Sequence, residues 1–466
     1  MKAIIPVFDE KSKRPYYLQL YDYVKNAVLS GEISPDEKLP SLRRLAADLK
    51  LSLTTTSLAY NQLSVEGYIY SKAGSGFFAS DITFAKTAHG SNHGLAGIDP
   101  SGLPLAEAPP PAHYDLSCFD FNKWKKCLNK ILTEYPYLLL SESDPQGELV
   151  LRYEISKYLY RSRGVAANPS QIVIGAGTQQ ITGQLSLLLT RMSINHVTVE
   201  DPCYLPVRNI FRDRGFNLSS VAVSSNGINI KKLPENIKSA VYVCPSNQFP
   251  TGAVMPINRR YELIEWANRN GSLIIEDDYD SELRYFGKPI PALAGLDAKG
   301  RAVYLGSFSS TLFPSVKISY MALPAEMAEI FESLRNDYTQ TCSKAEQLTL
   351  ALFMEYGYYQ TNIRKLRSLY SQKLQAVTSC IQKYARNFIV PLNTSSGINM
   401  IINVNSKKDA ETLCREAGAA GVFTVPVSFY TTENSGGARS LIFYYNQIPI
   451  NRIEDTVKAL TAVWRA

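Results

Sequence analysis

Residues 172–180 read Ile-Val-Ile-Gly-Ala-Gly-Thr-Gln-Gln (IVIGAGTQQ). Three β-favouring residues run into a glycine-rich turn, and the turn opens a helix. The same pattern recurs in HVTVE (196–200), AVYVCP (240–245), LIIEDDY (273–279), AVYLGSF (302–308) and INMIINV (398–404). Short apolar runs alternating with amphipathic helices predict an α/β domain with a mostly parallel sheet. Functional groups in such folds gather at the carboxyl ends of the strands. Gly175-Ala176-Gly177-Thr178, Glu276-Asp277-Asp278-Tyr279 and Gly306-Ser307-Phe308-Ser309 all lie at such ends.

The chain has 466 residues, which predicts two or three domains. Hydrophobic residues at 45% and charged residues at 20% exclude bulk disorder. The net charge of +7 is small for this length; it permits nucleic-acid binding without arguing for it. Seven scattered cysteines, none in a CxxC pair, fit a reducing cytoplasm. Four histidines (89, 93, 113, 196) offer no zinc spacing, so no metal is expected. The start, MKAIIPVFDEKSKRP, has too short an apolar run and two early acids for a signal peptide. No apolar run of about 18 residues predicts a membrane span.

Composition shifts at HGSNHGLAGIDPSGLPLAEAPPPAH (89–113), which lacks apolar periodicity and reads as linker. The expected division is 1–80, a linker over 81–113, and 114–466. The small segment reads as three helices and a hairpin. Leu18, Tyr21, Val24 and Val28 recur at helical spacing before Gly31. Ser41 and Ser52 are expected to cap the second and third helices. Leu45, Leu49 and Leu51 are expected to face inward, with Leu58, Leu63 and Val65 on the apolar side of the third helix. Tyr68-Ile69-Tyr70, Gly74-Ser75-Gly76 and Phe77-Phe78 read as a two-stranded wing.

Three helices and a wing suggest a winged helix-turn-helix that binds DNA. The third helix opens with Ser52-Leu53-Thr54-Thr55-Thr56-Ser57, hydroxyl side chains suited to phosphates or base edges. No acid occurs from Lys50 to Val65, while Arg43, Arg44 and Lys72 flank the helix. With ten basic and eight acidic residues in 1–80, charge alone leaves a helical interaction domain open. The runs Lys38-Leu-Pro-Ser-Leu-Arg-Arg-Leu-Ala and Tyr60-Asn-Gln-Leu-Ser-Val-Glu-Gly-Tyr resemble the GntR family of bacterial regulators. That resemblance implies operator contacts from Arg43, from Ser52 to Thr56, and from the wing at Gly74 to Gly76. The family usually has Arg after the capping Ser; here Leu53 stands there, so one contact is lost or moved.

In the large segment, the GAGTQQ turn offers N–H groups to a phosphate, and Ser307 to Ser310 add hydroxyls. Lys317 adds a positive charge. The acids at 277 and 278, followed by Tyr279, make a polar constellation at a strand end; capping or an ion pair would account for them equally well. Taken in order, Asp144-Pro-Gln-Gly-Glu, Gly175-Ala-Gly-Thr-Gln-Gln, Glu200-Asp-Pro-Cys-Tyr, Pro245-Ser-Asn-Gln-Phe-Pro-Thr-Gly, Ile275-Glu-Asp-Asp-Tyr-Asp-Ser-Glu and Gly306-Ser-Phe-Ser resemble the fold-type I aminotransferases. A GntR domain joined to that fold is the architecture of MocR-type regulators, and the wording is closest to their GabR branch.

The resemblance implies roles around pyridoxal phosphate. Asp277 would pair with the pyridine nitrogen, Tyr279 would donate to the phenolic oxygen, and Tyr204 would stack on the ring. Gly177, Thr178, Gln179, Ser307 and Ser309 would hold the phosphate. The family pattern GSFSKxLxPGLRxxY is here GSFSSTLFPSVKISY. Ser310 occupies the Schiff-base lysine position, so no covalent aldimine can form there. Lys317 replaces the phosphate-binding Arg and loses its bidentate fork. Gln447 and Pro206 stand where two arginines would grip a ligand carboxylate. Four joint changes imply a transcription regulator whose degenerate domain senses a small-molecule effector. Retained non-covalent pyridoxal phosphate, a different ligand and a ligand-free dimer scaffold all stay open. An active aminotransferase with an accessory DNA-binding domain is the alternative. The expected partners are operator DNA and a second copy, head to tail, in the cytoplasm.

Overall fold

The computed structural model describes residues 6, 8, 9, 12–82, 115–285, 290–392, 394, 397–432 and 439–466. Most of the expected linker, with His89, His93 and His113, lies outside the described residues. The chain forms two compact units, Met1–Glu107 and Ala108–Ala466.

In the first unit, α1 (Tyr16–Ser30) ends at Gly31, whose φ of +79° suits glycine. α2 (Leu42–Leu49) and α3 (Leu53–Val65) are capped by Ser41 and Ser52, which accept from Arg44 N–H and Thr55 N–H. β1 (Ile69–Lys72) and β2 (Gly76–Ala79) form the antiparallel wing. Leu20, Tyr21, Val24, Val28, Leu45, Ala59, Tyr60, Leu63 and Ile69 make the core. Three expectations fail here. Leu18 is only half-buried, and Leu20 takes the inner position. Leu58 and Val65 face water; Thr56, Ala59 and Tyr60 fill the inner face of α3 instead. Helical geometry puts 56, 59, 60 and 63 on one stripe, which excludes 58 and 65.

The second unit carries α4 (Phe121–Glu134), α5 (Leu149–Arg163), α6 (Gly177–Arg191), α7 (Leu205–Asp213), α8 (Ile257–Asn270), α9 (Leu293–Leu296), α10 (Ala325–Leu334), α11 (Lys344–Glu355), α12 (Tyr358–Tyr384), α13 (Ala410–Ala419) and α14 (Ile453–Arg465). Its large sheet uses β3 (Ile172–Ala176), β4 (His196–Asp201), β5 (Asn217–Ser224), β6 (Gly227–Ile228), β7 (Ala240–Val243), β8 (Leu273–Asp278), β9 (Ala302–Ser307) and β10 (Ile318–Ala322). The order is β3-β10-β9-β8-β7-β4-β5-β6. β5, β4, β7, β8 and β9 are parallel neighbours; β10 runs against both β3 and β9. Alternate strand residues feed opposite cores. Val199, Tyr242, Ile275 and Leu305 pack with α6, α7 and α10, while Val241, Ile274 and Ala302 pack with α8 and α9. INMIINV does not join this sheet. Its strand β12 (Met400–Val404) lies with β11 (Ile389–Leu392), β13 (Thr424–Pro426) and β14 (Ser440–Phe443) in a separate antiparallel sheet, ordered β11-β12-β14-β13. Ile401, Ile402 and Asn403 of β12 pair antiparallel on both sides, and α12, α13 and α14 back the sheet.

Candidate functional site

Strand register decides which side chains meet. Asp278 at the end of β8 pairs with Gly306 of β9, and Ile318 of β10 pairs with Ala176 of β3. Because β10 is reversed, its first residues stand where β3, β8 and β9 end. Gly177, Asp277, Tyr279, Ser307, Ser309, Ser310 and Lys317 therefore share one sheet edge. Tyr204 joins them from the start of α7, in the loop after β4.

Acids along β8 alternate between faces. Glu276 accepts the N–H groups of Leu293 and Ala294, both at 2.9 Å, and so holds the start of α9. Asp278 meets Arg163 Nε at 2.7 Å and accepts from Tyr304 Oη at 2.6 Å. Ion pairing thus accounts for Asp278. Asp277 faces the other way and is buried. It accepts a hydrogen bond from Tyr242 and makes no ion pair among the described residues. Burial pushes its carboxyl up to about 7; the Tyr242 bond opposes the shift, and Asp278 and Glu276 add to it. Such a carboxylate is short of a cation.

Tyr279 Oη accepts from Asn247 Nδ2 at 3.2 Å, so its own proton is available to a ligand oxygen. Burial holds that hydroxyl well above its ordinary pKa, which keeps it a donor. Phe249 organises the aromatic wall: Tyr204, Tyr279 and Tyr430 meet it edge-on at 5.8, 6.0 and 4.9 Å. Gly397 must lack a side chain, since a Cβ there would sit 2.7 Å from Asn247 Nδ2.

The opposite end of the edge suits an anion. Gly177, at φ +84°, begins α6, and Gly177, Thr178 and Gln179 present the first N–H groups of a 15-residue helix. A Cβ on Gly177 would lie 3.8 Å from Lys317 Cδ, so the lysine stem passes directly over this turn. Ser307 Oγ accepts from Ser319 Oγ at 3.1 Å and from Ser309 N–H at 3.3 Å, leaving its proton to donate. Ser310 is half-buried in the turn after β9. Its neighbour Thr311 is clamped by Tyr359 Oη at 3.0 Å and by Asn362 Nδ2 at 2.6 Å.

Among the described residues Gln447 makes no hydrogen bond to this cluster, although Tyr444, which lines the same cavity, meets Tyr430. The short helical turn Tyr445–Gln447 after β14 carries Gln447 into a cavity of about 460 Å³, lined also by Gly421, Phe423, Tyr444, Arg452 and Asp455. Pro206 occupies the first turn of α7.

In the first unit, Arg43 is exposed and makes no ion pair among the described residues. Arg44 is exposed and pairs loosely with Asp48 at 3.7 Å. Lys72 stands over Tyr70 and Phe78 in the wing, at 5.3 and 4.8 Å from the ring centres. Gly74 and Gly76 adopt φ of +73° and +103°, which the tight wing turn requires. Thr54 is exposed, but the hydroxyls beside it are engaged. Ser52 Oγ accepts from Thr55 N–H at 3.0 Å and lies 2.8 Å from Thr55 Oγ1. Thr56 is a correction: it is fully buried, donating to Leu53 O at 3.0 Å and Leu42 O at 3.4 Å, and cannot reach DNA. Among the described residues no cluster of His, Cys, Asp or Glu could hold a metal ion. Nor is any helix among them long and apolar enough to cross a membrane.

Residues 16–79 match the model for bacterial regulatory proteins of the gntR family, and residues 125–437 that for aminotransferase class I and II. The chain is 36% identical to the uncharacterized HTH-type transcriptional regulator YdeL of Bacillus subtilis, covering 99% of each. It is 28% identical to the probable rhizopine catabolism regulatory protein MocR of Rhizobium meliloti, covering 99% of this chain and 96% of that protein. The chain belongs to the MocR-like, GntR-type transcriptional regulators. The fold of the second unit is that of Pyrococcus horikoshii kynurenine aminotransferase, with a TM-score of 0.66 at 22% identity over 76% of this chain and 89% of that one.

In this regulator four residues of the cluster escaped sequence reasoning: Tyr242, Asn247, Phe249 and Tyr430. Asn247 and Phe249 lie inside the quoted SNQFPTG run, so their signal was present. Tyr242 lies inside the quoted AVYVCP strand, but only register brings it to Asp277; Tyr430 gave no signal, because loop packing alone brings it to Phe249.

Proposed function

We propose that this MocR-like regulator binds operator DNA through its first unit and senses a small phosphate-bearing effector at the sheet edge of its second. Pyridoxal phosphate or a related vitamer is the candidate, held without a covalent bond. The observation that carries this reading is the buried, cation-free Asp277 at one end of an edge whose other end offers the α6 N–H groups and Lys317. A protonated pyridine would supply the cation that Asp277 lacks. Tyr279 would donate to the ring oxygen, Tyr204 would cover the ring, and Gly177, Thr178, Gln179, Ser307, Ser309 and Lys317 would take the phosphate. Pyridoxal phosphate, when bound, supplies an aldehyde and an electron-withdrawing ring. Ser310 has no amine to offer that aldehyde, so the unit acts as a sensor and not as a transaminase.

The proposed division remains a DNA reader over 1–80, a linker over 81–113 and a sensor over 114–466, working in the cytoplasm. A homodimer is proposed on a surface observation as well as on family likeness. Leu140 is 91% exposed, and Tyr137, Leu149, Val150 and Tyr153 are exposed as well. Leu149, Val150 and Tyr153 line an apolar cavity of about 520 Å³ together with Leu138 and Leu352. A face of that kind marks an interface.

The test is equilibrium binding of pyridoxal phosphate and pyridoxamine phosphate to the full chain, followed by borohydride reduction and peptide mapping. Saturable binding that reduction does not fix to a peptide supports the reading. A cofactor-bearing peptide from the unaltered protein refutes it. Ser310→Lys should convert the binding to a reducible, covalently fixed form.

A further inference from the structure

α3 carries no charged side chain along Leu53–Val65. Its inner face is filled by Thr56, Ala59, Tyr60 and Leu63. Its outer face nevertheless exposes Leu53 and Leu58, 49% and 48% accessible, and neither belongs to the core of the unit. The charges that could hold phosphates, Arg43, Arg44 and Lys72, all stand off this helix, on α2 and in the wing. Polar reach from the first turn is reduced further, because the Ser52 and Thr55 hydroxyls bond each other and Thr56 is buried. What α3 offers outward is therefore carbon beside a few polar groups: the Leu53 isobutyl group, the Thr54 methyl and hydroxyl, the half-buried Ser57 and the Leu58 isobutyl group, with the Asn61 amide exposed further on.

In a helix-turn-helix the N-terminal residues of the second helix meet base edges in the major groove. The apolar group that DNA presents there is the C5 methyl of thymine. We infer that Leu53 and Thr54, with Leu58 a turn further on, read thymine methyl groups, so that the operator half-site requires T·A pairs at defined positions. An arginine at 53 would have selected guanine through its O6 and N7. The inference rests on the DNA-binding reading of the first unit and deepens it.

The experiment selects duplexes from a random-sequence library with the full-length protein. Each thymine of the enriched site is then replaced singly by deoxyuridine, which removes only the 5-methyl. Binding is measured by fluorescence anisotropy. One or two positions per half-site should weaken by about fourfold for each methyl lost. Leu53→Ala should weaken the thymine duplex by about tenfold and abolish its preference over the deoxyuridine duplex. Thr54→Ser, which removes one methyl, should reduce the preference at a neighbouring position. Leu53 is exposed, so its loss leaves the fold of α3 intact. Enrichment of a sequence in which no deoxyuridine matters by more than twofold overturns this inference and leaves DNA recognition standing. A deoxyuridine effect that survives Leu53→Ala and Thr54→Ser unchanged overturns it equally. Failure to enrich any sequence refutes DNA recognition itself, and this inference with it.

Discussion

Asp277→Asn, studied without any added ligand, isolates the electrostatics of the pocket. Asparagine keeps the shape and an oxygen for the Tyr242 hydroxyl but removes the charge. In the folded protein burial raises this carboxyl from 3.8 to about 7. The native state therefore holds a proton that the unfolded chain releases at lower pH. The stability from this group is fully present below pH about 4 and is lost as pH rises to about 7. Some three pH units at 1.36 kcal/mol each amount to about 4 kcal/mol at neutral pH and above. The Asn variant should match the natural protein at pH 4 and exceed it by up to that amount at pH 8. Glu200 is also pushed up to about 7, chiefly by burial and in smaller part by the Asp277 charge, so the Asn variant eases that shift as well and the difference at pH 8 grows in the same direction. Urea unfolding followed by tryptophan fluorescence reads the second unit alone, because the three tryptophans are Trp124, Trp266 and Trp464. Parallel pH profiles for the two proteins would refute the assignment of Asp277 as an uncompensated buried acid. Saturating pyridoxamine phosphate should then reverse the ranking, since only the aspartate gains a cationic ring nitrogen.

Gly175→Ala would place a Cβ 1.8 Å from Gln180 Oε1 and 2.8 Å from Ile181 Cδ1, so the second unit should lose about 1–3 kcal/mol in the same urea assay. Gly418→Ala is the control: its Cβ meets nothing within 4 Å inside α13, and stability should rise by about 0.5–1 kcal/mol. Thr56→Val should cost the first unit about 1 kcal/mol in a thermal melt and leave operator affinity unchanged where that unit is folded. Arg43→Ala should weaken binding evenly across DNA sequences and lower the salt slope by about 1, measured by anisotropy from 50 to 200 mM salt.

The winged unit was legible where local chemistry dictates structure. Ser41 and Ser52 cap because their side chains satisfy helix N–H groups, and Gly31 ends α1 because the chain turns left-handed there. Along α3 hydrophobicity does not follow burial. Where α3 packs on α1 and α2 the inner face takes small and mixed residues, Thr56, Ala59 and Tyr60, and the leucines are left for another surface. A leucine kept for a ligand and a leucine kept for a core look alike until the helix is placed.

The sheet edge that carries Asp277 and Lys317 was legible for the opposite reason. Its residues are far apart in sequence, yet each sits within a residue or two of a strand end, and parallel strands bring their ends together whatever fills the connections. That rule reaches Lys317 as well. One residue before Ile318, the partner of Ala176, it must lie beside Gly177 once β10 is reversed. The rule cannot say which of three consecutive acids faces a ligand. Glu276, Asp277 and Asp278 have similar chemistry, and only the pleat separates them. Two are consumed by α9 and Arg163, and the third is left without a cation. Arg163 ends a helix that precedes β3, so no spacing along the chain announces its pairing with Asp278. A buried acid that a sequence pattern would assign to an ion pair becomes a ligand group only when its neighbours have already claimed the arginine.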